Sequence, residues 1–139
     1  MRISKIFVTV DAIVLKITAI GFLLLLIKRK NEPFKDLWAL PGGFLDENED
    51  LEKAAIRELE EETQIKVEAL EQIGTFGKPF RDPRGHTISV AYLGFVPENT
   101  IAVAADDAKE AEWFPINQLP ELAFDHSAII QTALKKHDL

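Results

Sequence analysis

The stretch from Gly43 to Ile65 constrains this chain most, because it sets acids where a helix needs apolar contacts. It reads Gly43, five residues, Glu49, seven residues, then Arg57-Glu58-Leu59-Glu60-Glu61-Glu62-Thr63-Gln64-Ile65. Residues three and four apart share a helix face, so Glu58, Glu61 and Glu62 project together. At steps of about 100° they fall in the same arc, roughly 160° wide, as Leu51, Ala54, Ala55 and Leu59. Lys53, Arg57, Glu60 and Glu49 fall on the other side, with Ile56, which there needs a loop to cover it. Carboxylates on a packed side are costly unless paired or bound to a cation, and three within one turn repel one another. A hard divalent ion with oxygen ligands, Mg²⁺ or Mn²⁺, resolves both problems. The competing reading, a solvated acidic face, would place the glutamates opposite the apolar stripe.

Asp46 with Glu49 three residues on has capping-box spacing, which predicts an N-cap at Asp46 and a helix from about Glu47 to Glu62, closed by Thr63 and Gln64. Pro41-Gly42-Gly43 reads as a turn whose glycines allow positive φ and close backbone approach to a ligand or metal. Around the helix lie apolar, β-branched runs that predict strands: Ile6–Leu15, Ile20–Arg29, Val67–Thr75, Thr87–Val96 and Ala111–Phe114. Leu37–Leu40 is a short apolar segment, and Pro97–Lys109 reads as a loop with a short strand. Leu122–Lys136 is amphipathic and predicts a second helix. The order predicts an α+β fold, a mixed sheet with helices packed on it and no regular alternation of parallel units. The loop from Phe76 to His86 has two prolines and two glycines and carries Lys78, Arg81 and Arg84 in an acidic chain. It is either a solvated loop or a clamp for phosphate or sugar.

The 139 residues suffice for one domain, expected over 1–139. A net charge of −7 provides no basic field for non-specific nucleic-acid binding, so no nucleic-acid partner is expected. A phosphate-bearing small molecule held through a metal is compatible with it. The absence of cysteine removes disulfides, thiol catalysis and zinc–thiolate sites. His86, His126 and His137 lack ligand spacing and read as structural or surface residues. Ala12–Ile27 is strongly apolar, but it is too short to span a membrane and is interrupted by Lys16 and Gly21. It reads as two buried strands joined by a turn. With no export signal visible, a cytoplasmic location and no membrane partner are expected.

The Gly43–Ile65 stretch resembles the Nudix box of the Nudix hydrolases at Gly43, Glu49, Arg57, Glu58, Leu59, Glu61, Glu62 and Ile65. It departs at Gln64, where the family has Gly; altered loop geometry with retained metal binding is the expectation. Trp38-Ala-Leu-Pro-Gly-Gly43, Phe80-Arg-Asp-Pro-Arg-Gly85 with Ser89–Tyr92, and Leu119-Pro120 with Ala123–His126 resemble the ADP-ribose pyrophosphatase-like branch and the Nudix domain of related NAD-metabolism regulators. The resemblance implies the Nudix α/β/α sandwich and hydrolysis of the pyrophosphate in a nucleoside diphosphate linked to another moiety. For ADP-ribose the products would be AMP and ribose 5-phosphate. It implies Mg²⁺, or Mn²⁺, on Glu58, Glu61, Glu62 and the Gly42 carbonyl, acting on the diphosphate and on an attacking water. Arg57 and Glu49 would orient these carboxylates. The base would be one of the glutamates or an acid of the Val103–Glu110 loop. Arg81 and Arg84 are candidates for terminal-phosphate or sugar contacts, and Trp38, Phe34 and Phe80 for base stacking. Family members often form homodimers, with which the apolar strands are compatible. Two other functions fit the same resemblance: a pyrophosphatase of nucleoside triphosphates, oxidised ones included, and a non-catalytic domain that senses ADP-ribose.

Overall fold

A computed structural model describes residues 3–139. The strands are β1 (Phe7–Thr18), β2 (Gly21–Arg29), β3 (Trp38–Ala39), β4 (Gly42–Phe44), β5 (Glu71–Phe76), β6 (Thr87–Phe95) and β7 (Ala108–Pro115). The helices are α1 (Leu51–Thr63) and α2 (His126–Lys136). One sheet of seven strands runs β3-β2-β1-β6-β5, with β4 also paired to β1 and β7 to β2. β1 and β6 pair in parallel from Phe7 against Thr87 to Leu15 against Phe95, and the other ladders are antiparallel. The sheet is therefore mixed, and the apolar run Ala12–Ile27 is part of the β1–β2 hairpin.

Side chains alternate across a strand, and here both sets are covered. Ile13, Leu15, Leu24, Leu26, Ala91 and Leu93 pack with Ile129, Ile130, Ala133 and Leu134 of α2. Val10, Ala12, Val14, Leu25, Val90 and Tyr92 pack with Ala54, Ala55 and Leu59 of α1. A sheet sandwiched by helices on both faces needs near-continuous apolar strands, which is why β1 and β2 lack a polar face. Asp11 and Ser89 share the α2-facing side, and both are buried.

Several expected boundaries move. α1 starts at Leu51, capped by Asp50, whose carboxylate accepts from the Lys53 amide at 3.2 Å. Asp46 is not the cap. Its amide donates to Glu49 Oε1 at 3.0 Å, so half of the predicted capping box forms one turn early, in the loop before the helix. The Gly42–Gly43 segment is a strand paired with Val10 and Asp11, and neither glycine has positive φ. β5 begins at Glu71 and not Val67, α2 begins at His126 and not Leu122, and the last strand extends over Ala108–Pro115. The segment 97–107 contains no strand. Ile56 is partly buried against the α1-side core, which supplies the cover its position on the wheel requires.

Candidate active site

Where β4 leaves β1, a cleft of about 470 Å³ opens between the acid face of α1 and the loop after β5. Glu58, Glu61 and Glu62 line one wall, with Gly42 and Gly43 beside them; Arg29, Arg81, Arg84, Phe124 and His126 line the rest, with Asp106 and Asp107 at the rim.

The three glutamates differ in burial. Glu62 is 4% exposed, the Glu58 side chain is largely buried, and Glu61 is exposed. The Gly42 amide donates to Glu62 Oε1 at 2.8 Å. Burial, assisted by the neighbouring Glu58, Asp107 and Asp11, pushes the Glu62 carboxyl up to about 8. Burial also raises Glu58, against the opposing pull of Arg57. A Cβ on Gly43 would lie 2.6 Å from Glu58 Oε1, and one on Gly42 2.6 Å from Asp11 Oδ1. The glycines are there for close approach: bare backbone admits the Glu58 carboxylate at Gly43 and, at Gly42, first the Val10 carbonyl oxygen of the paired strand and then Asp11.

Arg57, expected on the far side of the helix, reaches back along the acids. Its Nε and Nη2 form a two-pronged pair with Glu49 at 2.6 and 2.9 Å, and Nη1 donates to Glu58 at 2.9 Å and to Glu61 at 3.2 Å. The Glu49 pair comes first among the causes that hold the guanidinium charged, well above its ordinary value. Glu49 stands outside the helix, which is how it reaches across eight residues.

Gln64 ends α1 in the left-handed region, φ 60° and ψ 15°, with its amide donating to the Glu60 carbonyl. Gln64 adopts the backbone that a glycine favours, at a cost of about 1 kcal/mol. The helix end is sealed by residues 97–107: the Val103 amide donates to the Thr63 carbonyl and the Ala105 amide to that of Glu62. That docking carries Asp106 and Asp107 to the cleft.

On the other wall, the buried Arg81 guanidinium forms a two-pronged pair with Asp125, at 2.9 and 2.7 Å, and donates to the Thr87 carbonyl. Arg84 pairs with Asp82 at 2.8 Å and lies over Phe44 and Phe124. Arg29 lies over Phe124 and donates through Nε to the Pro33 carbonyl at 2.7 Å. Burial, and then Arg84 beside it, lowers its pKa. None of the three aromatic candidates lines the cleft. Trp38 packs edge-on against Phe114. Phe80 is 97% exposed and not part of the lining. Phe34 packs on Phe124, which does line the cleft, with ring centroids 4.8 Å apart. Asp11, Arg29, Phe124 and His126 are among the lining residues to which sequence reading gave no role in the site. One signal was available: a lone acid, Asp11, within the apolar strand run.

Residues 7–133 match the family model described as NUDIX domain. The chain belongs to the Nudix family. An ADP-ribose pyrophosphatase from Methanocaldococcus jannaschii is 47% identical over 128 residues, 92% of this chain and 73% of that protein. An ADPR responsive transcriptional repressor, NtrR, from Acinetobacter baylyi is 35% identical, over 92% of this chain and 53% of its own length. The chain thus spans about half of that second relative. The NUDIX domain of Shewanella oneidensis NrtR, solved in complex with ADP ribose, superposes with a TM-score of 0.89 at 33% identity, covering 96% of this chain and 90% of that one. These likenesses put the chain in the ADP-ribose pyrophosphatase-like branch of the Nudix hydrolases and agree with the α+β sandwich seen here. No helix among the described residues is long and apolar enough to cross a membrane.

Nudix hydrolases generally use divalent metal ions, and the donor set here suits one. Glu58, Glu61 and Glu62 offer hard oxygens, and the two more buried carboxyls are driven towards protonation, a strain that a cation would relieve. No group of three or more His, Asp or Glu among the described residues is gathered into a ready cage. The side chains explain why: Arg57 holds Glu58 and Glu61, while the Gly42 amide holds Glu62.

Proposed function

We propose that this chain hydrolyses, with Mg²⁺, the pyrophosphate bond of ADP-ribose, giving AMP and ribose 5-phosphate. The observation that carries this reading is the opposition of charge across one cleft: Glu58, Glu61 and Glu62 on one wall, Arg29, Arg81 and Arg84 on the other. A diphosphate is attracted by the guanidiniums and repelled by the carboxylates, so a cation has to stand between it and the acid wall. Glu58, Glu61, Glu62 and the Gly42 carbonyl would hold that ion. When bound, it supplies positive charge to the diphosphate and acidifies the attacking water.

The rest falls to the chain's own groups. Arg57, paired with Glu49, fixes the rotamers of Glu58 and Glu61. One of the glutamates, or Asp106 or Asp107 at the rim, takes the proton of the attacking water. Arg29 and Arg84 receive the phosphate or sugar end, and Phe124 provides an apolar surface between them. Likeness to the M. jannaschii enzyme supports ADP-ribose as substrate. A single working domain, a homodimer and a cytoplasmic setting complete the proposal.

The test is phosphate release in a phosphatase-coupled assay over a nucleotide panel with Mg²⁺. Turnover of ADP-ribose to AMP and ribose 5-phosphate is expected. No turnover of ADP-ribose, with fast turnover of a nucleoside triphosphate or its oxidised form, would replace the substrate. The likeness to the A. baylyi repressor favours one second reading, a sensing domain. Binding of ADP-ribose without turnover of any member of the panel is the result that would select it.

A further inference from the structure

Leu40 stands two residues before Gly42, between β3 and β4, and its buried amide has an unusual acceptor. It donates to His126 Nδ1 at 3.0 Å. A ring nitrogen accepts only with its lone pair free, so a neutral His126 carries its proton on Nε2. Nε2 faces Asp11 Oδ1 at 3.5 Å, and the other Asp11 oxygen accepts from Ser89 Oγ. His126, Asp11 and Ser89 are all buried. Burial lowers the His126 pKa, which agrees with a neutral ring.

This chain of contacts ends at the segment that flanks the acids. α2 holds Leu40 N–H through His126, α1 holds Gly42 N–H through Glu62, and the Ala12 amide donates to the Pro41 carbonyl between them. The segment is thus fixed from both faces of the sheet. We propose that His126 is a positioning residue for the reaction: its Nδ1 sets the Leu40–Gly42 backbone against Glu62, while Asp11 and Ser89 hold the ring in the tautomer that can accept. This role rests on the reading of Gly42 and Glu62 as parts of the metal site.

Two near-isosteric variants separate the role from bulk packing. Asn at 126 places its amide oxygen where Nδ1 stands, and Gln places its amide where Nε2 stands. Amide hydrogen exchange at Leu40, measured by NMR on protein free of metal, reads the hydrogen bond directly. Mn²⁺ titration and steady-state kinetics at saturating metal follow. For His126→Asn, Leu40 exchange and Mn²⁺ affinity stay near those of the unsubstituted protein. For His126→Gln, Leu40 exchanges about tenfold faster. Its Mn²⁺ affinity falls by about 10- to 100-fold, while KM for the nucleotide barely moves. Unchanged Leu40 protection or unchanged Mn²⁺ affinity in the Gln variant overturns the proposal, as does equal loss in both variants. If the unsubstituted protein binds no Mn²⁺, the metal-site reading falls and takes the positioning role with it; Leu40 exchange still reports whether His126 holds the segment.

Discussion

On the α1 wall of the cleft, two of three glutamates share one arginine and the third has none; on the facing wall, two of three arginines have a carboxylate each. Arg57 serves Glu58 and Glu61 but gives most of its fork to Glu49, and Glu62 has only a backbone amide. Asp125 and Asp82 hold Arg81 and Arg84, and Arg29 is left donating to a carbonyl. The acid wall is short of positive charge, and its buried carboxyls are pushed towards protonation. The basic wall is nearly balanced, with one guanidinium in reserve. Net charge along the sequence cannot show this difference, because Asp82 and Asp125 each neutralise an arginine of their own, while Glu58 shares Arg57 with Glu49 and Glu61, and Glu62 has only a backbone amide.

The comparison can be broken most sharply on the acid side. Glu62→Gln keeps the shape and removes the charge, so turnover should fall by about a thousandfold or more with circular dichroism unchanged. Near-normal turnover would mean that the acid wall is not the site of chemistry. On the basic side, Arg29→Ala should lower kcat/KM by about 10- to 100-fold, mostly through KM, while leaving the fold intact. If Arg29 were merely solvated, KM for ADP-ribose would not move.

The imbalance is also visible without substrate. The folded state binds the Glu62 proton up to about 8, whereas an ordinary glutamate releases it near 4.5. Between those values the folded form binds more protons than the unfolded one, so this contribution to stability is full below the lower value and is lost as pH rises. Without divalent metal, the loss should be on the order of a few kcal/mol between about pH 5 and 8. Thermal melts across that range test it: the slope should flatten in Glu62→Gln and in the native protein with excess Mg²⁺. The smallest effect belongs to the end of the acid helix. Gln64→Gly should stabilise by about 0.5–1 kcal/mol, since relief of left-handed backbone exceeds the added freedom of the unfolded chain. A lower urea midpoint would show that the Gln64 side chain contributes something that its backbone angles do not reveal.

The acid face could be read from sequence because it is local: spacings of three and four on one helix fix it whatever the rest of the chain does. The strands were readable because a sheet covered on both faces demands continuous apolar runs. What escaped was brought together from a distance. Asp11, Ser89 and His126 meet through β1, β6 and α2, and Arg29 meets Arg84 only once the cleft is built. The helix start was misread for a different reason. Asp46 and Glu49 do make a capping-type contact, and sequence spacing alone cannot tell it from the true cap at Asp50. Phe80 illustrates the converse, an aromatic beside a motif arginine that points to solvent.

The parallel ladder between β1 and β6 has a consequence in time. Its partners are separated by 80 positions, as Phe7 and Thr87 are, so it closes only after α1 has been made and the chain has continued to Phe95. A chain leaving the ribosome therefore carries the three glutamates of α1 well before it has a cleft to hold them. Ser89, which fixes Asp11, arrives with β6, and His126, the clamp on Leu40, arrives later still. The chemistry is written early in the chain, and the last third decides when it can be used.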